Sequence, residues 1–142
     1  MIVEDLITRS PVTVGREDSV AEAALQMKEG DVGSVVVLGE AGDVVGIVTD
    51  RDIAIRLVAE ELPAETTPVD EIMTIMPLCI ERRMDVEQAL KKMEIHGVRR
   101  IPVLDEGNEL VGVVSLDDIL IHLEKTLGVA AALIRAEVAG LV

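Results

Sequence analysis

Two seven-residue stretches carry the side chains best suited to chemistry, Gly46-Ile47-Val48-Thr49-Asp50-Arg51-Asp52 and Gly112-Val113-Val114-Ser115-Leu116-Asp117-Asp118. Each runs from glycine through two β-branched residues to a hydroxyl side chain, with a carboxylate three positions beyond it. An apolar pair followed by a hydroxyl predicts a buried strand that turns into a helix. The first amides of a helix lack internal partners and carry partial positive charge, so such a junction can take an anionic or polyhydroxyl ligand. Thr49 or Ser115 can donate to a phosphate there, and Asp52 or Asp118 can accept from the vicinal hydroxyls of a ribose. A nucleotide offers both groups. The same spacing also describes a helix N-cap resembling a capping box, which stabilises a helix by about 1 kcal/mol with no ligand.

Other chemistry has less support. His96 and His122 are far apart and lack metal-site spacing. No Gly-x-Ser-x-Gly or Walker-type loop is present. Cys79 is the single cysteine and sits in an apolar run, so it reads as a core thiol in a reducing compartment. Met27, Met73, Met76, Met84 and Met93 read as core or gap-filling residues. Neither catalysis nor a metal is expected. A formal charge of -14 argues against nucleic acid and anionic membrane surfaces as partners. The absence of Phe, Tyr and Trp excludes an aromatic stacking platform. With no signal-peptide pattern at its start and no membrane-length apolar run, the chain is expected to be soluble and cytoplasmic.

The two stretches belong to a longer repetition. The sequence matches itself without gaps at an offset of 66 residues, from Val3/Val69 to Leu57/Leu123, with about a third of positions identical. Thr8/Thr74, Pro11/Pro77, Arg16/Arg82, Gly46/Gly112 and Asp52/Asp118 are among the identities. Two copies in 142 residues should share one globule with an aliphatic core. Each copy reads as β-α-β-β-α after a short helical turn. In the first, the elements are Val12 to Val14, a helix capped by Ser19 and Glu22 and ending at Gly30, a hairpin of Ser34 to Leu38 and Val44 to Thr49, and a helix from Asp50 to about Glu60. In the second they are Leu78 to Ile80, a helix from Asp85 and Gln88 to His96, a hairpin of Ile101 to Leu104 and Leu110 to Val114, and a helix from Ser115 to Leu127. Glu61 to Pro68 reads as the linker. The expected division is 1–62, 63–127 and a helical tail, 128–142. That tail is apolar around much of its circumference, so it should be buried on its own subunit or, as favoured here, in a homodimer contact.

A duplicated β-α-β-β-α unit of this length resembles a tandem pair of cystathionine β-synthase (CBS) domains, a Bateman module. The features that carry the resemblance are Asp70-Glu71-Ile72-Met73-Thr74 with Pro77, the run Gly97 to Val103, and the closing Gly-x-x-Ser/Thr-x-x-Asp. They cover residues 1 to about 127. The resemblance implies an α/β (α+β) fold in which two units pack about a pseudo-twofold axis and leave two clefts. It also implies a regulatory role, with an adenine nucleotide (AMP, ADP or ATP) in the clefts, no required cofactor and an unidentified regulated protein as partner. An S-adenosylmethionine or NAD(H) sensor and a ligand-free dimerisation scaffold are the alternatives.

By the same resemblance, Asp118 and Asp52 would hold the ribose, with Ser115 and Thr49 beside the ribose or phosphate. Thr13, Val14, Cys79 and Ile80 would line the base pocket with Val32, Ser34, Val98, Ile101, Pro102, Val48 and Val114. The copies differ in charge: Gly33-Ser34 in the first stands where the second has Arg99-Arg100. In relatives that bind AMP a basic pair before Ile-Pro-Val often contacts phosphate. Arg99, Arg100 and Arg51 are therefore the phosphate candidates, and the Ser115/Asp118 cleft is expected to be the better of two unequal sites. The first copy departs from the pattern in lacking the Pro of Ile-Pro-Val.

Overall fold

The computed structural model describes residues 1–140, so Leu141 and Val142 of the apolar tail lie outside the described residues. The first repeat forms β1 (Thr13–Gly15), α1 (Val20–Gly30), β2 (Ser34–Leu38), β3 (Val44–Thr49) and the short α2 (Asp50–Asp52), which continues as a π-helical segment, Ile53–Val58. The second forms β4 (Thr74–Ile75), β5 (Ile80–Glu81), α3 (Val86–His96), β6 (Arg100–Leu104), β7 (Leu110–Ser115) and α4 (Leu116–Val138). Short 3-10 turns, Val3–Leu6 and Val69–Glu71, open the two units. The repeat is therefore one of structure as well as sequence. β1 runs parallel to β2 and β5 parallel to β6, and β2–β3 and β6–β7 form antiparallel hairpins with matching registers and bulges.

The turns that open the units are exchanged. Val3 is fully buried among Ile80, Val86, Ile101 and Ile119 of the second unit, whereas Val69, Ile72 and Met73 complete the core of the first. Equivalent backbone bonds hold both turns: Val3 N–H donates to Met84 O and Val69 N–H to Asp18 O, each at 2.8 Å. Equivalent ion pairs flank them, Arg82 to Glu4 at 3.5 Å and Arg16 to Asp70 at 3.7 Å. Beyond each turn the chain crosses the opposite sheet. Met73 fills the space a Cβ on Gly46 would need, and Ile7 does the same at Gly112. The crossing adds a strand that the repeat pattern does not predict, β4, paired antiparallel with β3.

Several local expectations are corrected. Ser19 Oγ accepts from Glu22 N–H at 3.1 Å, but the Glu22 carboxylate turns to Gln26, so only half of that capping box forms. Asp85 makes no side-chain cap; its backbone bridges to Ile2. The linker, 61–68, packs on the first unit: Thr67 is buried, its carbonyl accepts from Val20 N–H at 2.9 Å, and Ala64 O accepts from Ala21 N–H.

The tail is helical, as expected, and of its two expected burial sites its own subunit is not the one used. It continues α4 without a break, and Ile119 is the one buried residue of that helix. Leu127, Val129, Leu133, Ile134 and Val138 are 61–84% exposed, so the chain does not bury its own tail. Among the described residues no helix is long and apolar enough to cross a membrane.

Glycine positions separate packing from propensity. A Cβ at Gly112 would lie 2.6 Å from Ile7 Cγ2, whereas one at Gly128, inside α4, meets nothing within 4 Å. Gly112→Ala should lower unfolding free energy by about 1–3 kcal/mol. Gly128→Ala should raise it by about 0.5–1 kcal/mol. Urea denaturation of the two variants checks both signs.

Candidate functional site

Two cavities lie where the units meet, and each draws its walls from both. The larger, about 240 Å³, takes Ser115, Asp117, Asp118, Val113 and Arg100 from the second unit. The first unit contributes the crossing segment Leu6 to Val12 and the hairpin approach Asp31 to Ser34. The smaller, about 200 Å³, pairs Ile47, Thr49 and Asp52 of the first unit with Thr74, Pro77, Leu78 and Val98 to Arg100 of the second. Exchange of the opening turns is what brings these pieces together, because the crossing chain that follows each turn becomes a cavity wall.

Both strand-to-helix junctions are complete capping boxes. Ser115 Oγ accepts from Asp118 N–H at 3.1 Å, while Asp118 Oδ2 accepts from Ser115 N–H at 3.0 Å and from Ser115 Oγ–H at 2.8 Å. In the first unit Thr49 Oγ1 accepts from Asp52 N–H at 3.1 Å and Asp52 Oδ2 accepts from Thr49 N–H at 2.9 Å. The cap reading of these residues is thus correct as local structure. It consumes one oxygen of each carboxylate. The other differs between the clefts: Asp52 Oδ1 faces Arg56 Nη2 at 3.7 Å, whereas Asp118 Oδ1 has no hydrogen-bond or ionic partner among the described residues. Arg56 is held in place by donating to Ile72 O at 2.9 Å.

The cations are also distributed unevenly. Arg99 is exposed and paired with Asp117 at 3.2 Å. Arg100 is half-buried, borders both cavities and forms no ion pair among the described residues. Arg51 is exposed and outside both linings, its amide N–H bonded to Asp50 Oδ1. Arg9, which the repeat comparison does not single out, lines the larger cavity and donates to Gly30 O at 3.1 Å.

Of the remaining sequence candidates, Val32 and Ser34 line the larger cavity and Val98 the smaller. Val14, Val48, Ile80, Ile101 and Val114 pack in the two hydrophobic cores. Pro102 is buried on β6, and Thr13 and Cys79 are half-buried; all three lie outside both linings. Their places on the walls are taken by Thr8, Ser10, Pro11 and Val12, and by Thr74, Pro77 and Leu78. The identities Thr8/Thr74 and Pro11/Pro77 were the available signal for these segments. Among the described residues no cluster of His, Cys, Asp and Glu suits a metal ion.

This architecture is that of a tandem pair of like domains. The CBS domain model matches residues 3–59 and 69–125, and the chain belongs to that family. It is 34% identical over 116 residues to the uncharacterized protein MK0525 of Methanopyrus kandleri, covering 82% of this chain and 57% of that one. The chain thus spans little more than half of that relative. Its fold is similar to that of the CBS domain protein PAE2072 from Pyrobaculum aerophilum, complexed with AMP, with a TM-score of 0.78 and 28% identity, over 88% of this chain and 99% of that one. It is also similar to the CBS domain pair of protein MJ0100, in complex with 5-methylthioadenosine and S-adenosyl-L-methionine. There the TM-score is 0.80 and the identity 26%, over 89% of this chain and 98% of the other.

Burial pushes the Cys79 thiol above its usual range, and its Sγ donates to Pro77 O at 3.4 Å. The folded chain therefore holds this proton more tightly than the unfolded chain, so the thiol's contribution to stability falls as pH rises past the ordinary thiol range. At pH 7.5 the native protein should react with a disulfide reagent at least tenfold more slowly than the urea-unfolded chain. Absorbance at 412 nm after adding Ellman's reagent measures both rates.

Proposed function

We propose that this protein is a regulatory sensor that binds an adenine nucleotide, AMP, ADP or ATP, in its inter-unit clefts and passes the bound state to a partner protein. The observation that carries this reading is the Ser115/Asp118 cleft. There a carboxylate fixed by its own helix cap keeps one oxygen unengaged, in a cavity that Arg9, Arg100, Thr8 and Ser10 also line. Asp118 suits a ribose diol, Ser115 lies beside it, and a guanidinium fork suits phosphate. The AMP bound to PAE2072 and the adenosyl compounds bound to MJ0100 support the adenosine part. The two arginines favour a phosphate over the sulfonium cation of S-adenosylmethionine. In the Thr49/Asp52 cleft the acid already faces Arg56, which makes it the weaker site.

The role is regulatory rather than catalytic, and signalling requires that the ligand bind one arrangement of the module more tightly than another. A homodimer is part of the proposal. A second copy of α4 would cover the apolar face that one chain leaves in water. A ligand-free scaffold is the second reading, favoured by the fact that both Ser/Thr-x-x-Asp motifs already serve as caps.

A thermal-shift and calorimetry panel of AMP, ADP, ATP, S-adenosylmethionine and NADH separates the two. A nucleotide at about 100 times its dissociation constant should stabilise the fold by roughly 2.7 kcal/mol. Asp118→Ala should weaken its binding tenfold or more while the fold survives the loss of a cap worth about 1 kcal/mol. A flat panel, with Asp118→Ala changing stability alone, would establish the scaffold instead.

A further inference from the structure

Arg100 holds a position that no other cation of the chain shares, since it lines both cavities. Its guanidinium lies across Gly33 of the other unit: a Cβ there would fall 2.5 Å from Nη2 and 3.2 Å from Cζ. Glycine at that point is what lets the arginine rest on the partition between the clefts. Asp50 flanks the same spot from the other side, 3.2 Å from that Cβ position, yet Arg100 forms no ion pair among the described residues. The repeat supplies no second arginine, because the position equivalent to Arg100 is Ser34, which is buried. Arg99, the other cation of the smaller cavity, is paired with Asp117, and Arg9 of the larger one is tied to Gly30 O.

We propose that the two clefts share Arg100, so that a phosphate-bearing ligand seated in one withdraws the guanidinium from the other. The inference rests on the adenosine reading above and adds to it a rule of occupancy. A guanidinium presents its donors in one rigid plane and cannot face phosphates in two clefts at once. Losing a charge-assisted contact of this kind weakens binding tenfold or more. The coupling is reciprocal, as binding linkage requires. An adenosine without phosphate makes no demand on Arg100 and fills the clefts independently. The module then counts phosphorylated ligands one at a time.

Calorimetry on the full chain, with AMP and adenosine as probes, tests this. In the wild type the second AMP should bind at least tenfold more weakly than AMP binds to Asp118→Ala, in which the Thr49/Asp52 cleft alone remains and Arg100 is released to it. Asp52→Ala supplies the reciprocal measurement if Asp118→Ala folds poorly. For adenosine the corresponding affinities should agree within about twofold, and the preference of Arg100→Gln for AMP over adenosine should be at least tenfold smaller than that of the wild type. Equal and independent AMP steps, an Asp118→Ala variant that takes no AMP, or an undiminished AMP preference in Arg100→Gln would each overturn the sharing while adenosine binding survives. Failure of the wild type to bind either probe would overturn the adenosine reading itself, and the sharing with it.

Discussion

The exchange of opening turns is the constraint on which the rest of the structure depends. Neither unit closes its own core: Val3 completes the second and Val69, Ile72 and Met73 the first. Each three- or four-residue turn is far too short to be stable alone, so it persists only because the other unit receives it. The halves are therefore not two beads joined by a tether. Each supplies part of the other's core, and the crossing chains that follow become walls of the clefts.

The acid of the proposed ligand site is also a structural residue. A cap fixes the rotamer of Asp118 through bonds to Ser115, which removes most of the ordering cost a ligand would otherwise meet. It leaves a lone oxygen directed by the protein rather than by solvent. In the first unit the same cap geometry exists, but Arg56 sits near the remaining oxygen and reaches across to the Ile72 carbonyl. Duplication thus produced two equivalent frames, and divergence of a few charged positions made them chemically unequal.

Much of this was legible in the chain itself. The repeat, the hairpins, the caps at Thr49 and Ser115 and the αL stop at Gly97 all follow from local pattern, because strand alternation and helix capping are short-range physics. The exchange was not, since an apolar Val3 or Val69 says that a partner surface exists without saying whose. The family resemblance points to Thr13, Val14, Cys79 and Ile80 for the cleft wall, whereas Thr8 to Val12, Thr74, Pro77 and Leu78, just before them, line it. The π-helical turn at Ile53–Val58 has no counterpart in the second repeat despite the identities Ile53/Ile119, Ile55/Ile121 and Leu57/Leu123, and nothing in those side chains announces it. The exposure of the tail is a statement about one chain, and apolar composition alone does not name the surface that covers it.

The 23 residues of α4 begin at the very hydroxyl that borders the larger cleft. At about 1.5 Å per residue that rod is roughly 35 Å long. It is gripped near its root, by Ile119, and stands clear along most of its length. A tilt of about 5° at the root would carry the far end through roughly 3 Å, the geometry of a pointer on a dial.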